Sequence, residues 1–169
     1  MRRVGAALLA SIFCSLPVHA QLVDANLDWK EVEAPPPPAL RKDGLVPINM
    51  GSSVLRWGVD PASITIASDR VVRYVVVAQG QDGAVNALYE GLRCGTGEVK
   101  VYARNSGDQW VTATGSDWKP LDVGNAATRH SLVIARNGVC IGGGTNRSPV
   151  EIARDLGRGV DSKFRPEYR

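Results

Sequence analysis

One long run of strand-forming residues constrains this fold more than any other feature of the chain. Residues 71–78 read Val-Val-Arg-Tyr-Val-Val-Val-Ala, in which β-branched and aromatic side chains dominate. Gly80-Gln81-Asp82-Gly83 ends the run, and the segment from Ala84 to Cys94 resumes the strand pattern. Two strands joined by a short turn form an antiparallel hairpin. We therefore expect the hairpin of residues 71–94 to be the centre of the domain.

Further short strands flank the hairpin. Val54–Val59 is closed by Asp60-Pro61, which forces a turn, and Ser63–Ala67 is a brief β-branched run. Residues 98–104 alternate in the manner of a half-buried strand, and residues 109–113 predict one more. The alternation sets Val99, Val101 and Ala103 against Lys100, Tyr102 and Arg104. Successive strands with short connections predict an antiparallel meander.

Helices fit the last third of the chain. Ser148-Pro149-Val150-Glu151 is a capping box with proline in the first helical position, and we expect Gly157 to end this helix after Leu156. Asn125–Asn137 is open between a helix ended by Gly138 and a hairpin that turns at Asn137-Gly138; we favour the helix. The predicted fold class is therefore α+β, an antiparallel meander sheet packed with one or two C-terminal helices.

The first 20 residues have the pattern of a cleaved signal peptide. A positively charged start precedes the apolar run Val4–Leu16, and Val18 and Ala20 suit cleavage between Ala20 and Gln21. That apolar run is shorter than the roughly 20 residues that span a bilayer. We therefore expect a periplasmic or secreted protein that does not cross the membrane.

The sequence divides into four parts. Residues 1–20 are the signal peptide, 21–44 a proline-rich extended arm, 45–157 a single globular domain and 158–169 a basic C-terminal tail. Pro35–Pro38 locks part of the arm into polyproline geometry. We interpret the arm as a stiff spacer that packs along the domain through Trp29, in preference to a ligand for an aromatic groove on another protein.

Cleavage leaves two cysteines and one histidine in the mature chain. In an exported protein, Cys94 and Cys140 predict one disulfide in preference to two buried thiols. With His130 as the single remaining imidazole, a multi-ligand metal site is hard to assemble, and we expect no metal and no cofactor. A lipid anchor on Cys14 is disfavoured because Phe13 stands where a lipobox needs a small side chain.

The charge balance argues against nucleic acid as a partner. The chain has 20 Lys+Arg against 17 Asp+Glu, and loss of Arg2 and Arg3 lowers the basic count to 18 and the net charge from +3 to +1. A nucleic-acid surface needs a basic stripe, which this sequence lacks. We expect instead another envelope protein or a cell-surface component.

Several sequence blocks, taken together, resemble a known family. They are Trp29-Lys30-Glu31 before the prolines, Val59–Ile64, Asp69–Tyr74, and Tyr89–Cys94 followed by Tyr102-Ala103. Between about Trp29 and Leu156 the chain is similar to the cryptic neisserial protein family of exported bacterial proteins. The resemblance implies a signal sequence, a helix ahead of Cys140 and no established activity, and it supplies no catalytic residues.

The sequence contains no catalytic motif. The glycines at 142–144 lack the spacing and the lysine of a phosphate-binding loop, and no Gly-x-Ser-x-Gly elbow occurs. We therefore expect a non-enzymatic binding or structural module. The alternative is a cryptic hydrolase or small-ligand-binding protein with a polar cleft around Arg73 and Glu90 and with His130 as a third candidate. Arg93 is a separate candidate binding residue.

Arg73 and Glu90 also carry an expectation about register. A two-residue turn at Asp82-Gly83 pairs Val75 with Glu90, and a turn at Gln81-Asp82 pairs Arg73 with Glu90. Either register puts Arg73 and Glu90 on one buried face, where charges must be paired. We expect that face to hold Val71, Val75, Leu88, Leu92 and Cys94 as well, and the pair to be a structural one.

Overall fold

The structure is a computed structural model that describes residues 28–107, 109–159 and 164. The predicted signal peptide, its cleavage site, Cys14 and most of the basic tail lie outside these residues. The strands are β1 Val46–Ile48, β2 Arg56–Val59, β3 Thr65–Ile66, β4 Val72–Gln79, β5 Val85–Arg93, β6 Glu98–Ser106, β7 Gln109–Thr112, β8 Lys119–Pro120, β9 Cys140–Ile141 and β10 Gly144–Thr145. The helices are α1 Arg129–Ile134 and α2 Pro149–Arg158; a 3₁₀ turn, Pro61–Ser63, precedes β3, and a π-helical turn, Ala135–Val139, follows α1.

The strands form the predicted antiparallel meander. Six of them lie in the order β1-β2-β4-β5-β6-β7, while β3 pairs beside β4 and β8 beside β6. Every pairing in this sheet is antiparallel. With two C-terminal helices packed on the sheet and one disulfide, the α+β fold class is confirmed.

Both faces of the central strand β4 are covered. All of its residues except Gln79 are buried. On one face Val72, Tyr74 and Val76 join the main core with the helices, and on the other Val75 and Val77 pack beneath the arm. A strand covered on both faces reads as a continuous apolar run, which explains why residues 71–78 show so little alternation.

The hairpin between β4 and β5 corrects the predicted register. Tyr74 pairs with Glu90, and Arg73 pairs with Gly91, so Arg73 and Glu90 point to opposite faces of the sheet. The turn has three residues, because Gly80 and Ala84 form the last hydrogen-bonded contact and Gly83 takes a left-handed φ of +84°. An odd loop shifts the register by one residue from either predicted pairing, which moves each side chain to the other face.

The predicted shared face is therefore divided. Val71, Arg73 and Val75 lie on the face opposite the helices. Leu88, Glu90 and Leu92 lie on the helix side. Cys94 belongs to the helix-side core as well. The expected Arg73–Glu90 pair was wrong for this reason.

A bulge also interrupts the predicted alternation in β6. Glu90 pairs with Val101, but Tyr89, the residue before Glu90 in β5, pairs with Ala103. Tyr102 is therefore the extra residue of the bulge. Val99 consequently packs in the helix-side core and Ala103 in the core beneath the arm. Val99 and Ala103 do not share a face, contrary to the simple alternation.

The helices follow the sequence with two changes of boundary. Ser148 caps α2 by accepting the Glu151 N–H at 3.2 Å, but the helix runs past Gly157 to Arg158 and is capped by Gly159, whose φ is +62°. The segment 125–137 is helical, as favoured, but only from Arg129 onward.

The disulfide confirms the predicted pairing of cysteines. Cys94 and Cys140 are bonded, with Cα atoms 5.5 Å apart. The bridge joins the end of β5 to β9 and closes a sequence separation of 46 residues. Among the described residues no helix is long and apolar enough to cross a membrane.

Candidate ligand-binding cavity

The proline-rich arm lies along the sheet face opposite the helices. The Trp29 indole N–H donates to the Asp69 carbonyl at 2.9 Å, and the Val32 N–H donates to Asp69 Oδ2 at 2.9 Å. Farther along, the Trp110 indole donates to the Pro38 carbonyl at 2.8 Å. Because these bonds link distant parts of the chain, the arm forms a third layer over the sheet.

A buried ion pair supports the start of the arm. Arg73 Nη2 lies 2.8 Å from Asp69 Oδ2, with both side chains buried, and the same nitrogen donates to the Val32 carbonyl at 2.7 Å. Burial acts to raise the pKa of Asp69, but hydrogen bonds from Arg73 and the Val32 and Val71 amides outweigh it. The pKa of Asp69 is therefore lowered, and its carboxylate stays ionised.

Glu31 forms the second charged anchor of the arm. Its Oε2 accepts from Lys100 Nζ at 2.9 Å and from the Trp118 indole at 3.1 Å. Burial opposes ionisation, but these hydrogen bonds and the Lys100 charge lower the pKa of Glu31 overall. Both anchors of the arm thus depend on ionised carboxylates.

A cavity of about 270 Å³ lies where the arm meets the disulfide end of the sheet. Its walls come from four segments: the arm, the β3–β4 turn, the end of β5 and the β9–β10 loop. We call it the Trp29 cavity. Its lining residues include Trp29, Arg70, Arg93, Cys94 of the disulfide, Thr96, Gly143 and Thr145.

Aromatic and guanidinium groups are stacked at one side of the Trp29 cavity. The Arg93 guanidinium lies 3.5 Å from the centroid of the Trp29 ring, and Trp118 meets Trp29 edge to face at 5.9 Å. Arg93 Nη1 is also paired with Glu98 Oε2 at 3.1 Å. Arg93 is therefore held in place as part of the wall, with much of its charge compensated.

Arg70 differs from Arg93 in both backbone and side chain. It is the one non-glycine residue with positive φ among the described residues, at +64°. Its N–H donates to the Ala67 carbonyl at 3.0 Å, and its carbonyl accepts from the Thr145 hydroxyl at 2.9 Å. No hydrogen bond or ion pair joins its guanidinium to the part of the chain that the structure describes.

Glu90 lies in a separate polar cluster between the sheet and α1. Its carboxylate contacts His130 Nε2 at 2.9 Å, the Ser131 hydroxyl at 3.0 Å and the Tyr74 hydroxyl at 3.1 Å. All four side chains are buried. Burial raises the pKa of Tyr74 well above its usual value, which keeps the phenol protonated as a donor to Glu90.

This cluster does not have the geometry of a serine hydrolase triad. In a triad the serine and the carboxylate bind opposite nitrogens of the imidazole. Here Ser131 Oγ, at 3.2 Å, and Glu90 approach the same Nε2 of His130. Ser131 is also completely buried, so a substrate cannot reach its hydroxyl. The arrangement satisfies a buried carboxylate, which is a structural role.

Of the candidate residues named from the sequence, the structure separates Arg73, Glu90 and Arg93 but places His130 against Glu90. Arg73 lies beneath the arm, Glu90 lies against α1, and Arg93 lines the Trp29 cavity. No cleft contains both Arg73 and Glu90, because the sheet stands between their side chains.

Sequence reasoning missed Arg70 and Thr96 as cavity residues. A weak signal for Arg70 was present, because Arg70 follows Asp69 just as Gly83 follows Asp82 in the other turn. Thr96 gave no comparable signal. Within the described ranges, no group of three or more acidic, histidine or cysteine side chains is placed to hold a metal ion.

Comparison with known proteins places the chain in a family. The model of the CNP1-like family matches residues 24–157, which include the arm, the whole sheet and most of α2. No curated protein and no solved structure matches the chain. The family match covers the greater part of the sequence, and the chain therefore belongs to the CNP1-like family.

Proposed function

We propose that the mature protein is an exported, non-enzymatic binding module of the bacterial envelope, and that the Trp29 cavity is its binding site. The observation that carries this proposal is the convergence of four chain segments, one fixed by the disulfide, around a cavity with an indole and two guanidinium groups. Concave sites that combine apolar walls with a few polar groups are where small ligands bind.

Export is the second part of the proposal. The signal pattern of residues 1–20 and a disulfide that needs an oxidising compartment both support it. We also propose that the chain is related to the cryptic neisserial proteins in particular, on the basis of the sequence blocks around residues 59–74 and 89–103. We expect the intact mass of the protein from the envelope fraction or the medium to be that of a chain beginning at Gln21. Retention of residues 1–20 would contradict export.

The nature of the partner fits the same site. A cell-surface component or another envelope protein would engage this module by placing a small group in the Trp29 cavity. The volume of about 270 Å³ lies just below the usual range for drug-sized ligands, so the group must be small.

A blocking substitution tests the site. Gly143 lines the cavity, has no positive φ, and a Cβ built there meets nothing within 4 Å, so Gly143→Leu should narrow the cavity without strain. Gly124→Leu is the matched control outside the cavity, since a Cβ there also has room. We expect ligand-observed NMR with a broad fragment library to find binders that Gly143→Leu loses and Gly124→Leu retains. The proposed site would be contradicted if no fragment binds, or if the fragments bind the Gly143→Leu variant as tightly as the unmodified protein.

A further inference from the structure

We propose that the Trp29 cavity selects a small carboxylic acid with a flat, apolar body, and that Arg70 binds its carboxylate. This inference rests on the proposed function, because it names the ligand class for the same cavity. It is carried by the backbone of Arg70, by the charge balance at the cavity and by the groups that line it.

Two turns of this protein have the same hydrogen-bond pattern around an aspartate but different residues at the left-handed position. In the β4–β5 turn the Ala84 N–H donates to Asp82 Oδ1 at 3.1 Å, and Gly83 takes the left-handed position. In the β3–β4 turn the Val71 N–H donates to Asp69 Oδ1 at 3.0 Å, and Arg70 takes that position. Glycine is the residue that fits left-handed backbone without steric cost.

Arginine therefore occupies a position where glycine would make the turn more stable. Backbone strain of this kind persists where the surrounding structure enforces it, and it is concentrated at functional sites. Here hydrogen bonds to Ala67 and from Thr145 hold the strained residue. Since the turn itself does not need a side chain at 70, the arginine side chain must be what the position is used for.

Within the part of the chain that the structure describes, Arg70 is the lining cation whose charge is not compensated by a partner. Of the other charged residues that line the cavity, Asp69 is paired with Arg73 and Arg93 with Glu98. Arg70 is exposed to solvent, and no carboxylate of the described residues pairs with it. Guanidinium groups bind carboxylates through paired N–H donors, so a carboxylate is a fitting counterion for Arg70.

The remaining walls suit a flat apolar body. The Trp29 ring and the disulfide sulfur of Cys94 offer apolar surface, and Gly143 and Gly144 add backbone without side chains. A flat apolar ligand would pack on these surfaces.

Matched acids and amides test the inference. We would titrate the oxidised protein from Gln21 onward with benzoate and trans-cinnamate, and with benzamide and cinnamamide as neutral counterparts, by isothermal calorimetry. Arg70→Gly removes the guanidinium and relieves the strain, so a raised melting temperature would show that this variant is folded. Arg56→Gln removes the same charge from β2, outside the cavity, and is the control.

We expect the acids to bind at least about 10-fold more tightly than the amides, a difference of about 1.4 kcal/mol. Arg70→Gly should weaken acid binding by a similar factor and leave the amides unchanged, while Arg56→Gln should behave as the unmodified protein. Equal binding of acids and amides, or acid binding unaffected by Arg70→Gly, would overturn carboxylate selection and leave the cavity as a binding site. Failure of all four probes to bind would also overturn it, and the fragment screen would then decide the proposed function separately.

Discussion

At the scale of single residues, Arg70 shows how this protein places a cation at the cost of local stability. Its φ of +64° costs an L-residue roughly 1–2 kcal/mol. Glycine would avoid that cost but would lose more conformational entropy on folding, which offsets about 0.4–1 kcal/mol of the gain.

We therefore expect Arg70→Gly to stabilise the protein by about 0.5–1 kcal/mol. The reverse change in the β4–β5 turn, Gly83→Arg, should destabilise the protein by a similar amount. Gly83 has the same left-handed backbone, and a Cβ added there meets nothing within 4 Å. Urea unfolding of both variants checks the pair of predictions. Destabilisation by Arg70→Gly would show that the Arg70 side chain is needed for the fold.

The ionised Asp69 carboxylate supports the fold at two points. It neutralises the buried Arg73 and holds the Val32 amide of the arm, and its pKa lies below the ordinary value of 3.8. The unfolded chain therefore takes up the Asp69 proton at a higher pH than the folded chain does. The stability that Asp69 contributes is complete above its ordinary pKa and is lost as the pH falls through its folded pKa.

We expect Asp69→Asn to lower the free energy of unfolding at neutral pH by roughly 3–5 kcal/mol, because Arg73 is left buried without its counterion. The difference between the unmodified protein and this variant should shrink as the pH is lowered below 4, because the unfolded chain takes up the Asp69 proton first and the native carboxylate is protonated only at lower pH. Unfolding curves at a series of pH values measure it. A difference that stays constant from neutral to strongly acidic pH would contradict the assigned role of the Asp69 charge.

At the scale of elements, the arm acts as a layer of the fold. Ala34 and Leu40 pack on the core formed by Val75, Val77 and Tyr89, and the arm is fixed by Trp29, Glu31 and Pro38. Without it, one face of a strand that is apolar on both sides would be exposed to water.

The Trp110–Pro38 hydrogen bond gives a direct test of arm packing. We expect Trp110→Phe to cost about 1 kcal/mol, since it removes the indole donor and leaves the Pro38 carbonyl unpaired. Urea unfolding measures the effect, and a free energy of unfolding unchanged by Trp110→Phe would argue against a docked arm.

The sequence predicted the elements of this fold better than their relative positions. The run 71–78, the Ser148 cap and the cysteine pair each depend on local chemistry or on a single pairing, and all three are confirmed. The facing of Arg73 and Glu90 depends on whether a loop has two or three residues, and Gly80–Ala84 accommodates either count.

The partner of Arg73 was harder to predict for a related reason. Arg73 pairs with Asp69 only four residues away, because the β3–β4 turn folds the Asp69 side chain back beneath the arm. Reasoning restricted to cross-strand neighbours cannot find such a partner. The cavity required the positions of four segments at once, which local patterns do not contain.

At the scale of the whole molecule, the disulfide joins the sheet to the C-terminal part that carries the helices. Closing a separation of 46 residues should stabilise the protein by about 4 kcal/mol on the chain-entropy estimate. We expect reduction, or the double change Cys94→Ala and Cys140→Ala, to lower the free energy of unfolding by about that amount. A melting temperature unaffected by reductant, with thiol release confirmed by mass, would contradict this.

The central claim is that the Trp29 cavity of the folded, oxidised protein binds a small carboxylic acid. The four tryptophans provide internal probes, because Trp29 lines the cavity whereas Trp57 lies in β2. The decisive measurement is the indole N–H region of the ¹H–¹⁵N NMR spectrum during titration with benzoate. We predict a saturable shift of the Trp29 indole signal with the Trp57 signal unchanged; an unmoved Trp29 signal, or equal shifts of both, would contradict the account.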